Sequence, residues 1–242
     1  MTRTLSLVAL ALAAVPALAA PVPKTTAADQ VKLKNHVNVK MDSNLHSENY
    51  PNNNLNSLKA GVQKLGGVSY TIDEGVLQLG SSSVKDKPEK FEGIKVGRKA
   101  DKLHFLQGAG YSAENDTVVG RYVIRYADKT KAEVDIVYGK DLVDWWAYPG
   151  KDAPTHSKIA WEGENEASKG FDAKIRLYTQ TWMNPKPDQE IATIDFLATD
   201  VNQQCAPFCV AITAESGKPN EAAKYRELRA AYREVLPPPW RE

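Results

Sequence analysis

The amino-acid sequence predicts an all-β body, an antiparallel β-sandwich over roughly residues 31–215. Three observations carry this expectation. Apolar residues recur at every second position in segment after segment, the segments are short and punctuated by Gly, Pro, Asn and Asp, and no window between Val31 and Ala214 shows a helical period. Many short strands at such spacing build sandwiches or barrels rather than a parallel α/β sheet.

The N-terminal segment reads as an export signal. Arg3 supplies a positive start, Leu5 to Val15 an apolar stretch, and Ala17-Leu18-Ala19 the small-x-small pattern of a signal-peptidase site. Cleavage is expected after Ala19, because cleavage one residue later would leave Pro21 at the new terminus. Residues 1–19 are thus expected to be removed, and residues 20–30, rich in Pro and Ala, to form a leader. The apolar stretch is too short for a bilayer, and no later window approaches about twenty apolar residues. No cysteine follows the cleavage region, so no lipid anchor is expected.

Within the body, Val31, Leu33, Val37 and Val39 alternate with polar residues, as do Val68, Tyr70 and Ile72. Shorter apolar pieces lie at 75–79, 92–96 and 103–106. The clearest run is Tyr122, Ile124, Tyr126, a turn at Asp128-Lys129-Thr130, then Ala132, Val134, Ile136 and Tyr138. Arg121, Arg125, Glu133 and Asp135 hold the opposite phase, which predicts a hairpin with one buried and one wet face. Further runs cover 158–161, 174–182, 190–198 and 208–214, about ten strands in all. Beyond them Asn220 is placed to cap a helix over 219–236, with Tyr225, Leu228, Tyr232 and Val235 on one stripe. Pro237-Pro238-Pro239 ends it, leaving a Pro-rich tail over 237–242. That stripe either packs on the body or docks a protein partner.

A chain of 242 residues with a formal charge of +1 has no electrostatic footprint for nucleic acid or an anionic membrane surface. Without its signal it is long enough for one domain that buries roughly 70% of its unfolded surface. Cys205 and Cys209 leave two readings open. An exported protein can form a disulfide, but residues four apart in a strand lie about 13 Å apart, so a bridge needs Ala206-Pro207 to turn back. Otherwise both are free thiols.

Catalytic signatures are sparse. There is no nucleophile elbow, zinc-binding H-E-x-x-H pair, phosphate loop or C-x-x-C, and His36, His46, His104 and His156 are scattered. A nucleophilic Cys209 would sit inside an apolar strand, where a thiolate is disfavoured. Asp and Glu abound, but whether two of them pair for glycan hydrolysis depends on a spacing in space that the sequence leaves open. Asn115-Asp116-Thr117 is a glycosylation sequon in form.

The aromatic residues say more. In Asp144-Trp145-Trp146-Ala147-Tyr148, two adjacent indoles in extended chain point to opposite faces, so one enters the core and the other meets a loop or a ligand. In the run 174–182, Ile175 and Leu177 share one phase while Tyr178 and Trp182 share the other with Arg176 and Gln180. An indole beside Arg, Gln and Asn184 suits a sugar: the ring stacks on its C–H face while amides read its hydroxyls. The Asn-rich stretch Asn49 to Asn56 is a polar loop or an amide-lined binding edge.

Several segments together carry a resemblance. They include Leu65-Gly66-Gly67-Val68, Ile94-Lys95-Val96-Gly97-Arg98-Lys99, Gly139-Lys140-Asp141-Leu142-Val143-Asp144-Trp145-Trp146, Thr181-Trp182-Met183-Asn184-Pro185-Lys186-Pro187 and Ala206-Pro207-Phe208-Cys209-Val210-Ala211-Ile212-Thr213. Their order over roughly 31–214 resembles a domain of secreted bacterial proteins similar to galactose-binding-like jelly rolls and carbohydrate-binding modules. The resemblance implies a non-catalytic exported module, secreted or periplasmic, that binds carbohydrate through Trp145, Trp146, Tyr148, Trp182 and Asn184. A cell-surface or periplasmic interaction module is the alternative, and a glycan hydrolase a lesser one. Galactose-binding-like folds often hold a structural Ca²⁺, but the sequence has no compact Asp/Asn/Gly loop and no ligands are assigned.

Overall fold

A computed structural model of the chain describes residues 30–150 and 153–216. The signal segment 1–19, all of the leader but its last residue, and the helix expected over 219–236 with its tail lie outside the described residues. The strands are β1 (Gln30–Val31), β2 (Val39–Lys40), β3 (Gly61–Leu65), β4 (Val68–Ile72), β5 (Gly75–Gln78), β6 (Lys90–Lys99) and β7 (Lys102–Gly110). They continue with β8 (Val118–Tyr126), β9 (Lys131–Val137), β10 (Trp146–Ala147), β11 (Lys158–Gly163), β12 (Lys174–Met183), β13 (Glu190–Ala198) and β14 (Ala206–Glu215). A single helical turn, α1 (Glu166–Lys169), separates β11 from β12.

These strands pair antiparallel in two main sheets. The larger runs β10-β12-β7-β14-β5-β2, with β1 also on β14 and β11 also on β12; the smaller runs β6-β13-β8-β9. The chain repeatedly changes sheet, as from β6 to β7 and from β13 to β14, which is the connectivity of a sandwich. Side chains from both sheets meet in one core. Phe105 of β7 stacks on Tyr122 of β8 with ring centroids 3.9 Å apart, and Tyr122 stacks on Phe196 of β13 at 4.8 Å.

The expected hairpin is β8–β9, with Tyr122 opposite Val134 and Ile124 opposite Ala132. Its turn is closed by Asp128, whose carboxylate accepts from the Thr130 amide at 2.9 Å, with Lys129 in the left-handed region. On the wet face Arg121 reaches Asp135 at 2.6 Å and Glu133 at 2.8 Å. By contrast, the alternation from Val31 to Val39 is not one strand. The chain turns after Leu33, whose carbonyl accepts from the His36 amide at 2.8 Å, leaving two-residue pairings on either side. Such short pairings, and the β3–β4 hairpin, bring the strands among the described residues to fourteen rather than about ten.

The larger sheet is covered on both faces. One meets the smaller sheet; the other is roofed by β3–β4 and the loop from Met41 to Leu58, which bury Leu45, Leu55, Tyr70 and Ile72 against Ile175, Leu177 and Val210. This explains why β14 is buried at every position and why its sequence lacks alternation. A bulge between Cys209 and Ala211 also shifts its register against β7. Glycines on β7 make room for rings. A Cβ on Gly108 would lie 2.5 Å from the Phe208 ring, and one on Gly110 2.3 Å from His46.

The double cover corrects one expectation. Tyr178 is not on a polar face; it is fully buried in the core between the sheets. Of the two readings left open for the cysteines, the free-thiol one holds. Cys205 and Cys209 are both free, because Ala206-Pro207 does not turn back but runs extended against Gly110 and Ala109. Burial raises both thiol pKa values, that of Cys209 to about 12. The folded protein is therefore expected to give no reaction with a thiol-specific chromogenic reagent and two equivalents after denaturation. Rapid labelling of the native state would contradict this burial.

Candidate functional site

The site begins at the end of the 140s loop, where the chain joins the sheet edge. The Trp145 amide donates to the Ala109 carbonyl at 2.8 Å, and its own carbonyl accepts from the Arg176 amide at 2.8 Å. Extended here, adjacent residues face opposite ways. Trp145 enters the second core, edge-on to Phe208 at 5.5 Å and 2% exposed. Trp146 is left at the surface, half-buried.

Trp146 is held in place from both sides. Its amide donates to the Asp144 carboxylate at 3.0 Å, and its indole Nε1 donates to Asn53 Oδ1 at 3.0 Å. Asn53 in turn accepts from Asn165 Nδ2 at 3.1 Å and donates to the Leu45 carbonyl at 3.0 Å. Asn165 is the N-cap of α1, in a reciprocal capping pair with Ser168. The Asn-rich loop and α1 are thus tied to the same indole.

That tie assembles an exposed ring cluster. Tyr50 lies 5.5 Å from Trp146, Phe171 5.4 Å and Tyr148 6.5 Å, while Tyr50 and Phe171 meet edge-on at 5.7 Å. Tyr50 is 40% exposed, Tyr148 39% and Phe171 50%. Beside the cluster lies a cleft of about 190 Å³, bounded by Tyr50, Tyr111, Trp146, Tyr148, Asp144 and His46. A second cleft of about 480 Å³ adjoins it across Asp144 and Trp146, reaching Asn115, Tyr138 and Thr155.

The electrostatics of the site are simple. Burial lowers the pKa of His46 to about 3, so its ring is neutral; Nε2 lies 3.1 Å from both the Ala206 carbonyl and the Gly110 amide. Burial, and then the Asp144 charge, push the Tyr148 phenol upward. Among the described residues no Lys or Arg lines either cleft.

The five residues expected from sequence separate. Trp146 and Tyr148 stand together in the exposed cluster. Trp145 forms part of the cleft wall from within the core, so its indole face is committed to Phe208 rather than to solvent. Trp182 stands seven residues beyond the Trp146 partner Ile175 on β12, roughly 24 Å along a strand, and packs on the main core. Asn184 is 4% exposed and its amide is consumed structurally: it accepts from the Tyr126 hydroxyl at 2.6 Å and donates to the Ala100 carbonyl at 2.7 Å. The sequence reading missed Tyr50 and Phe171. The Asn-rich loop carried a signal for Tyr50; nothing local marked Phe171.

A second polar cluster lies on the larger sheet. His104 Nδ1 is 2.9 Å from the Thr181 hydroxyl and its Nε2 3.1 Å from Glu215, which also pairs with Lys102 at 2.7 Å. The His104 hydrogen bond, followed by that of Lys102, holds the Glu215 pKa down at about 2. None of these residues borders the two clefts. Among the described residues no group of three or more His, Cys, Asp and Glu gathers as a metal site, and no helix is long and apolar enough to cross a membrane.

Fold and site together define an antiparallel β-sandwich protein with an aromatic surface cleft at one edge of its larger sheet. No protein-family model and no curated protein matches the chain.

Proposed function

We propose that the protein is an exported, non-catalytic binding module for carbohydrate, a galactose-binding-like jelly roll acting outside the cytoplasm. The observation that carries this reading is the exposed cluster of Tyr50, Trp146, Tyr148 and Phe171, with Trp146 fixed by Asn53 beside a cleft. Aromatic faces bury the C–H faces of a pyranose, and a ring already immobilised loses little entropy on binding.

A glycan array and a polysaccharide pull-down on folded protein test the reading. Trp146→Ala is expected to weaken retention about tenfold or more, as for an aromatic anchor at the centre of an interface. Trp182→Ala, away from the cleft, is expected to leave retention unchanged in the folded fraction. Absence of retention of any glycan by the wild-type protein would overturn the proposal. The alternative, an interaction module using the helix expected over 219–236, is favoured instead if removing residues 219–242 abolishes capture of a partner without unfolding the body. Turnover of a glycan would point to a hydrolase.

A further inference from the structure

Resting on that carbohydrate reading, we infer that His46 reads the sugar, its Nδ1 pairing with a hydroxyl of an uncharged unit seated in the smaller cleft. The first argument is an unpaired atom. His46 borders that cleft and is 9% exposed, and its Nδ1 is buried without a hydrogen-bond partner among the described residues. Buried polar atoms in folded proteins are paired in the great majority, so one left over at the wall of a cleft is a place for a ligand atom. Nε2 of the same ring lies against the larger sheet, 3.1 Å from both the Ala206 carbonyl and the Gly110 amide. The two nitrogens of an imidazole point in widely different directions in the ring plane. With Nε2 fixed on β14 and β7, Nδ1 is turned away from them, towards the loop side that carries the cleft.

The ring is held in this position. Gly110 lacks the side chain whose Cβ would lie 2.3 Å from the imidazole, and Phe208 and Trp145 pack on it with centroids at 5.2 and 5.7 Å. His46 and its edge-on neighbour Tyr111 both take a positive φ, 70° and 62°, in the left-handed region that bulky side chains rarely enter. Such strain persists only where the surroundings enforce it, and it gathers at ligand sites. Leu45, the residue before His46, exchanges two hydrogen bonds with Asn53, which also holds the Trp146 indole. One short loop therefore sets both the nitrogen and the ring face, which spares the entropy of ordering them on binding.

Chemistry selects the partner. With one proton on its neutral ring, Nδ1 is a donor or an acceptor according to the tautomer. A carboxylate or sulfate suits only the form with the proton on Nδ1, and an ammonium only the other. A sugar hydroxyl donates and accepts, so it pairs with either form. The face of Trp146, which borders the same cleft, is placed to cover the C–H side of that unit. The cleft holds about 190 Å³, below the roughly 300–1,000 Å³ typical of drug-sized ligands, and suits one unit at a time.

The test is a long-range proton–nitrogen NMR titration of isotope-labelled protein with tetrasaccharides of glucose, mannose, galactose and xylose. At least one is expected to shift the His46 Nδ1 resonance and to leave those of His36 and His104 in place. His46→Gln carries a polar atom at the reach of Nε2 but none at that of Nδ1, and is expected to bind that tetrasaccharide about tenfold more weakly. His46→Asn, with a polar atom at the reach of Nδ1, is expected to stay within about threefold of the parent in its folded fraction. Binding that moves the Trp146 indole resonance but not His46 Nδ1, or His46→Gln binding as tightly as the parent, would overturn the inference and leave the carbohydrate reading standing. If neither variant folds, the parent titration alone decides. Binding of none of the four overturns the inference, and the carbohydrate reading falls with it only if the glycan array also shows no retention.

Discussion

Trp145→Ala is expected to destabilise the protein by about 3–5 kcal/mol, the range for removing a large aromatic from a packed core. Trp145 is nearly inaccessible, edge-on to Phe208, and packed with the loop residues that roof the larger sheet. Its neighbour should behave differently. Trp146→Ala loses a half-buried ring and one hydrogen bond to Asn53, a change of about 1–2 kcal/mol. Denaturant unfolding of the two variants side by side measures the contrast. Equal losses would mean that the two indoles do not face opposite ways.

Acid is expected to unfold the protein progressively from about pH 6.5, and His46 is the first cause. Its ring is neutral in the folded state, with burial lowering its pKa from 6.5 to about 3, whereas the unfolded chain takes up a proton at the ordinary value. Its contribution is complete above pH 6.5 and is lost as pH falls towards 3, at up to about 1.4 kcal/mol per pH unit. Glu215 adds to the loss at lower pH. Its contribution is complete above the ordinary glutamate value of 4.5 and disappears as pH falls through about 2. Asp141, whose carboxyl burial raises, acts in the opposite sense and softens the slope. Replacing His46 by glutamine removes the first phase. Unfolding free energies between neutral pH and pH 4 should then be flatter in His46→Gln than in the parent. Parallel curves would remove His46 as the cause.

Much of this architecture is legible along the chain. The β8–β9 hairpin follows from alternation and the Asp128-Lys129-Thr130 turn, both of which are short-range. The divergence of Trp145 and Trp146 follows from strand geometry alone. Cys209 is recognisable as an unreactive thiol from the apolar run around it. Trp182 and Asn184 lie away from the two clefts, and one reason hid this in the sequence. Alternation separates the faces of β12 but does not say that both are covered, and neither that cover nor the partners of Asn184, Tyr126 and Ala100, are near in sequence.

The sequence by itself therefore determined the all-β antiparallel class, the main hairpin and the presence of an indole at the surface of the 140s segment. Only the tertiary structure decided which aromatics surround it. Tyr50 and Phe171 reach Trp146 because Asn53 and the Asn165 cap bond across three separate segments. The physical reason is range. Backbone alternation is set by neighbouring residues, whereas a cleft is made where distant loops satisfy one another's polar groups, and no local pattern records that.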